Sequence, residues 1–201
     1  MIDLAETEQK EEDTRQQIVI SDTDFLSSFL WRNQFGIVIK LFGKLGMDII
    51  IPEAVMEELN YSTRTRERLA GVLYQLDHKK DKKHGRGEVY IQDIEPFSDA
   101  GMQYEELKKT LGKGEAAAIS MVLHSEEKVA CLASNNLRDV RKYVEDNQIT
   151  LWTTAGVLEK AELLGIVTHD TAVKLWDKMY EDGLSLPECT YEEYVRKKKA
   201  V

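Results

Sequence analysis

Two aspartates stand directly after the first apolar run of the sequence. The run is QIVI at 17–20, and Asp22 and Asp24 follow it closely, with one threonine between them. A short run rich in β-branched residues is typical of a buried strand, so these carboxylates come where the strand leaves the core. A carboxylate at that point either caps the following helix or binds a cation. Asp22 taken alone favours the helix cap.

Further polar and acidic residues stand in comparable places along the chain. Glu58 lies in the segment after the second apolar run, MDIIIP, and Glu115 opens an alanine-rich segment. Asn136 comes just after another apolar run, KVACLAS. Open parallel sheets bind their ligands outside the carboxyl ends of the strands. We therefore expect these three side chains to converge with Asp22 at one edge of a sheet.

Converging carboxylates repel one another. Two unit charges ~4 Å apart cost about 4 kcal/mol at an effective dielectric constant of about 20. Either protonation or a hard divalent cation relieves this repulsion. Mg²⁺ or Mn²⁺ held by two or three carboxylates polarises a phosphate and lowers the pKa of water, which suits phosphoryl chemistry. Plainer interpretations stay open, because Glu58 alone is typical of a solvated helix face and Glu115 of a helix cap.

The overall charge excludes one class of nucleic-acid binder. The chain has 201 residues, of which 42% are hydrophobic, and its net charge is −9. Proteins that grip long duplexes by bulk electrostatics are usually basic. Contact with a nucleic acid would therefore need a local basic patch or a bound cation. Cys131 and Cys189 lie far apart without metal-ligand spacing, which predicts free thiols in a reducing compartment and no zinc site.

The order of apolar runs and helical patterns predicts the fold class. Short apolar runs alternate with helical segments of about ten residues or more, which is typical of a parallel sheet covered by helices. Residues 1–16 are acidic and polar, unlike a signal peptide, and we expect a frayed tail. No stretch is long enough to span a membrane, so a cytoplasmic protein is predicted. Strands are predicted at 17–20, 47–52, 89–94, 128–134 and 148–152.

Four sequence blocks together resemble the motif blocks of the PIN-domain nucleases. They read VISDTDFLSSFL, IIIPEAVMEEL, LGKGEAAAISMV and ACLASNNLRDVRKY, and they run from about Gln17 to Trp152. The resemblance implies an α/β fold of three layers, α/β/α, with a central parallel sheet. It also implies cleavage of RNA, sometimes DNA, with Mg²⁺ or Mn²⁺. We predict a PIN-like domain at 17–152 and a C-terminal helical extension, 153–201, packed on the same domain.

The resemblance assigns roles to individual residues. Asp22, Glu58 and Glu115 match the family's acids and are predicted to hold the metal, directly or through waters, and to serve catalysis. Asn136 stands where a fourth acid is expected. An amide is a weaker, neutral ligand, so activity could be reduced or lost. Supporting roles beside the metal or its water are predicted for Thr23, Asp24, Ser134 and Asp139.

Basic runs within this acidic chain suggest where RNA could contact it. NYSTRTRER and HKKDKKHGR are either solvated surface or a rim that guides phosphates. Besides RNA and single-stranded DNA, an antitoxin-like protein and a second copy of the chain are considered as partners. The candidate nucleic-acid-binding residues are Arg64, Arg66, Lys79, Lys80, Lys82, Lys83 and Arg86.

Two other functions stay open at this point. A phosphatase resembling the haloacid dehalogenases would use Asp22 as nucleophile and Asp24 as general acid, although Asn135–Asn136 does not supply its late acidic pair. A PIN fold without catalysis, binding RNA or protein, is the other alternative. The tail YEEYVRKKKAV is expected to be a loose helix. Core or interface positions, rather than base-stacking platforms, are expected for Trp31, Trp152 and Trp176.

Overall fold

The computed structural model describes residues 17–77, 88–125 and 129–200, so the predicted tail 1–16 lies outside the described residues. Five parallel strands form one sheet in the order β3-β2-β1-β4-β5. The first strand is central because both neighbours pair with it. This confirms the predicted α/β class. The strands are β1 Gln17–Ser21, β2 Met47–Pro52, β3 Val89–Gln92, β4 Val129–Ala133 and β5 Thr150–Trp152.

Helices cover both faces of the sheet. Strand residues alternate between two cores, since Val19 and Ile49 belong to one, whereas Ile18 and Ile50 belong to the other. This alternation on a sheet buried on both sides gives the three layers that the resemblance implied. The helices of the described part are α1 Thr23–Leu30, α2 Phe35–Lys44, α3 Glu53–Asn60, α4 Thr63–Asp77, α5 Asp99–Leu107, α6 Lys113–Leu123, α7 Leu137–Asp146, α8 Thr154–Leu163, α9 His169–Glu181 and α10 Tyr191–Lys199.

The C-terminal helices pack on the first of these cores. Leu158 of α8 and Trp176 of α9 are fully buried there. The expectation of a loose final helix is wrong, because Tyr191 at the start of α10 is also buried and stacks against Trp176. Thr190 caps α10 by accepting a hydrogen bond from the backbone of Glu193. Among the described helices, none is long and apolar enough to cross a membrane.

The parallel sheet brings the ends of its central strands to one edge. Ser21 of β1 is in register with Ala133 of β4. Beyond that pair, the backbone N–H of Asp22 donates to the carbonyl of Ala133 at 3.0 Å. The chain therefore leaves β1 and β4 side by side, and the residues that follow the two strands become neighbours.

Candidate active site

Asp22 is both a helix cap and a buried acid. Its Oδ1 accepts a hydrogen bond from the backbone N–H of Phe25 at 2.8 Å, which caps α1. Only 3% of the residue is exposed. Burial raises the pKa of Asp22 to about 7, although hydrogen bonds from Ser134 and Phe25 oppose the shift. The hydrogen bonds of the helix cap therefore do not compensate for the cost of burying the ionised carboxylate.

Glu58 differs, because donors occupy both of its oxygens. Oε1 accepts the backbone N–H of Gly114 at 2.9 Å, and Oε2 accepts the hydroxyl of Thr23. The half-buried carboxylate thus joins α3 to the beginnings of α1 and α6. A side chain at Gly114 would obstruct this junction, since a Cβ there would lie 2.6 Å from Glu58 Oε2 and 3.0 Å from Val55 Cγ2. The second glycine of GKGE therefore permits the close approach of α6.

Glu115 is left with an unused oxygen. The residue is half-buried in the first turn of α6, and its Oε1 is buried without a hydrogen-bond partner in the described residues. Burial raises the pKa of Glu115 to about 7, the charges of Asp139, Asp24 and Glu58 raise it further, and a hydrogen bond from Asn136 opposes them. We call Asp22, Glu58, Glu115 and Asp139 the acidic cluster.

Asn136 connects this cluster to α7. Its Nδ2 donates to Asp139 Oδ2 at 2.8 Å, and its backbone N–H donates to Ser134 Oγ at 3.1 Å. The hydrogen bonds from Asn136 and Arg138 lower the pKa of Asp139. An amide therefore stands where the family resemblance predicts an acid, and it holds a carboxylate from one helical turn further on.

The structure brings the sequence-predicted acids to the same edge of the sheet without forming a closed metal cage. Within the described ranges, no group of three or more His, Cys, Asp or Glu side chains is arranged to hold a metal ion. The donor chemistry nevertheless fits a hard cation, because burial and three neighbouring carboxylates raise the pKa of Glu115 and its Oε1 is buried and unpaired in the described residues. Asp22 and Glu115 suit direct ligation. Glu58, with both oxygens engaged, suits a supporting position.

The predicted basic rim is only partly in view. Arg64 and Arg66 are exposed on α4. Arg64 lies close enough to Arg32 for its charge to contribute to lowering the pKa of Arg32, which burial lowers most. Lys79, Lys80, Lys82, Lys83 and Arg86 lie outside the described residues.

Sequence reasoning missed a cleft beside the acidic cluster. The cleft, of about 640 Å³, is bordered by Asp24 and Asn136 and by the segment 182–187. Trp31 lines it and is 42% exposed, so of the two positions expected for Trp31, core or interface, the core position is wrong. Helical spacing could have revealed this, because a residue seven positions after Asp24 falls on the same face of α1.

The fold and the site define the class of the protein. It is a parallel α/β/α domain whose acidic residues gather at the carboxyl edge of the sheet. A family model described as a PIN domain matches residues 18–200, so the chain belongs to the PIN-domain family, which has a nuclease-type fold. The match includes α8, α9 and α10, which lie beyond the resembling blocks. Among curated proteins, none matches the chain.

Proposed function

We propose that the protein is a metal-dependent endoribonuclease that hydrolyses phosphodiester bonds of RNA. The observation that carries this proposal is the electrostatic state of Asp22 and Glu115. Burial raises the pKa of each to about 7, and each feels the negative charge of Asp24. A fold gains no stability from such an arrangement unless a cation or a proton neutralises it.

Asp22 and Glu115 are the proposed ligands of Mg²⁺ or Mn²⁺. Neighbouring residues hold these two side chains in position. A divalent cation there would supply Lewis-acid activation of water and of the scissile phosphate. Ser134 and the backbone of Phe25 orient the Asp22 carboxylate. Glu58 keeps the start of α6, and with it Glu115, against α1 through Thr23 and Gly114.

Asn136 limits the charge of the site rather than adding to it. Its amide hydrogen-bonds to Asp139 and Glu115 and opposes the rise in the pKa of Glu115. Glu115 and Asp22 must lose their protons before they can act as ligands. With pKa values of about 7, both carboxyls exchange protons near neutral pH. Metal affinity should therefore rise by about tenfold per proton released per pH unit below about pH 6, and it should level off above about pH 8.

RNA as the substrate rests on the family resemblance together with the charge distribution. The chain carries −9 overall, so a bare phosphate backbone is repelled except where cations stand. Arg64 and Arg66 supply exposed positive charge on α4. An antitoxin-like partner, a homodimer and cytoplasmic location stay predictions of the sequence.

The test is cleavage of an end-labelled single-stranded RNA with Mn²⁺, with and without a chelator. Asp22→Asn keeps a side chain that caps helices well but removes the charge. We expect its rate to fall by at least about 100-fold, as loss of a metal ligand does. Asp170→Asn is the matched control, because Asp170 is an exposed acid in the first turn of α9.

Two results would count against the proposal in different ways. If Asp22→Asn cleaved as fast as the parent, the metal-ligand assignment would be wrong. If neither the parent nor Asp170→Asn cleaved RNA in Mn²⁺ while both remained folded by circular dichroism, the non-catalytic PIN fold would be the better account.

A further inference from the structure

The cleft beside the acidic cluster has the size and position of a ligand pocket. Its volume is about 640 Å³, and small-ligand pockets span roughly 300–1,000 Å³. One side is the face of α1 that carries Asp24 and Trp31, and the opposite side is the segment 182–187. Because Asp24 and Asn136 line it, the cleft is continuous with the edge where the acidic cluster lies.

Fixed polar contacts build the floor of the cleft. Ser28 Oγ lies 2.8 Å from Thr154 Oγ1, and Asn135 Nδ2 donates to the same hydroxyl at 2.9 Å. The Asn135 Oδ1 in turn accepts the backbone N–H of Thr154 at 2.9 Å. Asn135 thus fastens the end of β4 to the start of α8. Ser28 and Asn135 both line the cleft, so its floor is preorganised rather than assembled by the ligand.

A buried arginine fixes the C-terminal side of the cleft. Arg32 pairs with Asp182 at 2.7 Å, and its Nη1 donates to the carbonyl of Ser28 at 2.8 Å. The Arg32 side chain is only 3% exposed, and its Nε is buried without a hydrogen-bond partner in the described residues. The Nε is thus enclosed by the protein and out of a ligand's reach, and Arg32 serves to hold this wall of the cleft in place.

The chemistry of the walls favours a nucleobase over a phosphate. Trp31 presents an exposed indole, and Leu137 across the cleft is 43% exposed, so flat apolar surface is available. Asp24 lines the cleft and its negative charge repels a free anion, while the charge of Arg138, an exposed cation of the lining, is paired with Asp139. A neutral aromatic ring can stack on the indole, while the polar groups of Ser28 and Asn135 on the floor can meet its hydrogen-bonding edge.

We propose that this cleft binds the base of a nucleotide next to the scissile phosphate, with Trp31 as its stacking surface and the segment 182–187 as its far wall. This inference rests on the proposed nuclease function for the position of the scissile phosphate. The base site itself is defined by the cleft alone. A base in the cleft must be unpaired, because stacking on Trp31 inside the cleft requires it to leave a duplex. The helical extension thereby helps to form the substrate site.

Intrinsic fluorescence tests the base site without RNA cleavage. Trp176 is fully buried and Trp152 is half-buried against Phe42, so Trp31 is the most accessible of the three tryptophans. We expect adenosine and uridine, titrated without metal, to quench the full-length protein saturably. Trp31→Phe should abolish the quench. Phe97→Ala should retain it, because Phe97 is 96% exposed and does not line the cleft.

Kinetics give a second readout that separates base binding from catalysis. For a short single-stranded RNA in Mn²⁺, Trp31→Ala should raise KM about tenfold, whereas Trp31→Phe, which keeps a stacking ring, should stay near the parent. Quenching by nucleosides without any RNA cleavage would support the base site and contradict the nuclease function. Cleavage with neither nucleoside quenching nor a KM change in Trp31→Ala would overturn the base site alone.

Discussion

Two regions of the molecule contain buried or partly buried acids, and the pKa values of Asp22 and Glu115 in one region shift in the opposite direction to the pKa of Glu162 in the other. In the C-terminal cluster, formed by Glu162, His169 and Tyr191, His169 Nδ1 lies 2.9 Å from Glu162 Oε1 and the Tyr191 hydroxyl donates to Oε2 at 2.5 Å. Burial opposes ionisation of Glu162, yet these two contacts hold its pKa below the ordinary value. In the acidic cluster, burial prevails, and the pKa values of Asp22 and Glu115 rise to about 7.

Glu162 is a carboxylate that supports the fold, whereas Asp22 and Glu115 are carboxylates suited to binding a ligand. Glu162 has a donor on each oxygen, so it fastens α8 to α9 and α10. Glu115 has an oxygen that is buried and unpaired within the described residues. Burial raises the pKa values of Asp22 and Glu115 despite hydrogen bonds from Phe25, Ser134 and Asn136, and acids with such raised pKa values cluster at functional sites. The comparison can be tested by changing pH, cation and side chain in turn.

The largest expected effect is on stability as a function of pH. The folded pKa of Asp22, about 7, exceeds its ordinary value of 3.8, so the folded state binds this proton more tightly. The contribution of Asp22 to the free energy of unfolding is therefore fully present below about pH 4 and is lost as the pH rises through 7. The loss from Asp22 is about 4 kcal/mol in full, at about 1.4 kcal/mol per pKa unit. Glu115 acts in the same direction with a smaller effect because solvent screens it.

Urea denaturation in EDTA from pH 5 to 8.5 measures this loss. In Asp22→Asn the stability curve should be flatter, and the variant should exceed the parent above pH 7. Parallel curves for the two proteins would show that Asp22 is not an uncompensated acid in the folded state.

Divalent cations should reverse much of this destabilisation. At pH 8 and a Mn²⁺ concentration of about 100 times its dissociation constant, mass action stabilises the folded state by about 2.7 kcal/mol. The gain should be smaller at pH 6, where the ligands retain their protons. Thermal unfolding with and without Mn²⁺ measures the gain, and Glu162→Gln should keep it because Glu162 belongs to the C-terminal cluster. An equal gain in Asp22→Asn would place the cation elsewhere.

The sequence predicts much of this arrangement because the fold rests on local patterns. Apolar runs alternating with helical segments predict the parallel sheet, and the rule for sheet edges brings Asp22, Glu58 and Glu115 together. The partners of Glu58 are not predictable in that way. They are Thr23 and Gly114, which lie 35 and 56 residues away along the chain and meet it only through tertiary packing.

The same limit applies to Trp31 and to α10. An apolar neighbourhood along the sequence predicted a core or interface position for Trp31, and the residue lies outside the core, at the end of α1, where it lines a cleft. The charged sequence of α10 predicted a loose helix, but one aromatic residue, Tyr191, anchors it in the core. Burial of a single side chain outweighs the polarity of its neighbours.

A methyl group at Gly114 should weaken the junction that supports the acidic cluster. The Cβ of Gly114→Ala would lie 2.6 Å from Glu58 Oε2, so the carboxylate or α6 must move. We expect a stability loss of about 2 kcal/mol, typical of overpacking, together with reduced cleavage. Gly71→Ala is the matched control, since no atom lies within 4 Å of its Cβ and it is exposed in α4. If the two variants were equally stable in urea, the Glu58 side chain would be able to move aside for the added methyl group without a cost in stability.

The smallest expected effect concerns the C-terminal cluster. Tyr191→Phe removes the donor to Glu162 Oε2 while preserving the ring that stacks on Trp176. The loss should be about 1 kcal/mol, the usual net value of one hydrogen bond. Tyr180→Phe is the control, because in the described part of the chain its hydroxyl donates only to the weak acceptor Cys189 Sγ, at 3.6 Å. RNA cleavage by Tyr191→Phe should match that of the parent, because the Glu162 carboxylate holds α10 in place and takes no part in catalysis. If Tyr191→Phe cleaved RNA more slowly than its remaining folded fraction explains, Tyr191 would serve catalysis as well as stability. The distinction between the two regions would then be wrong.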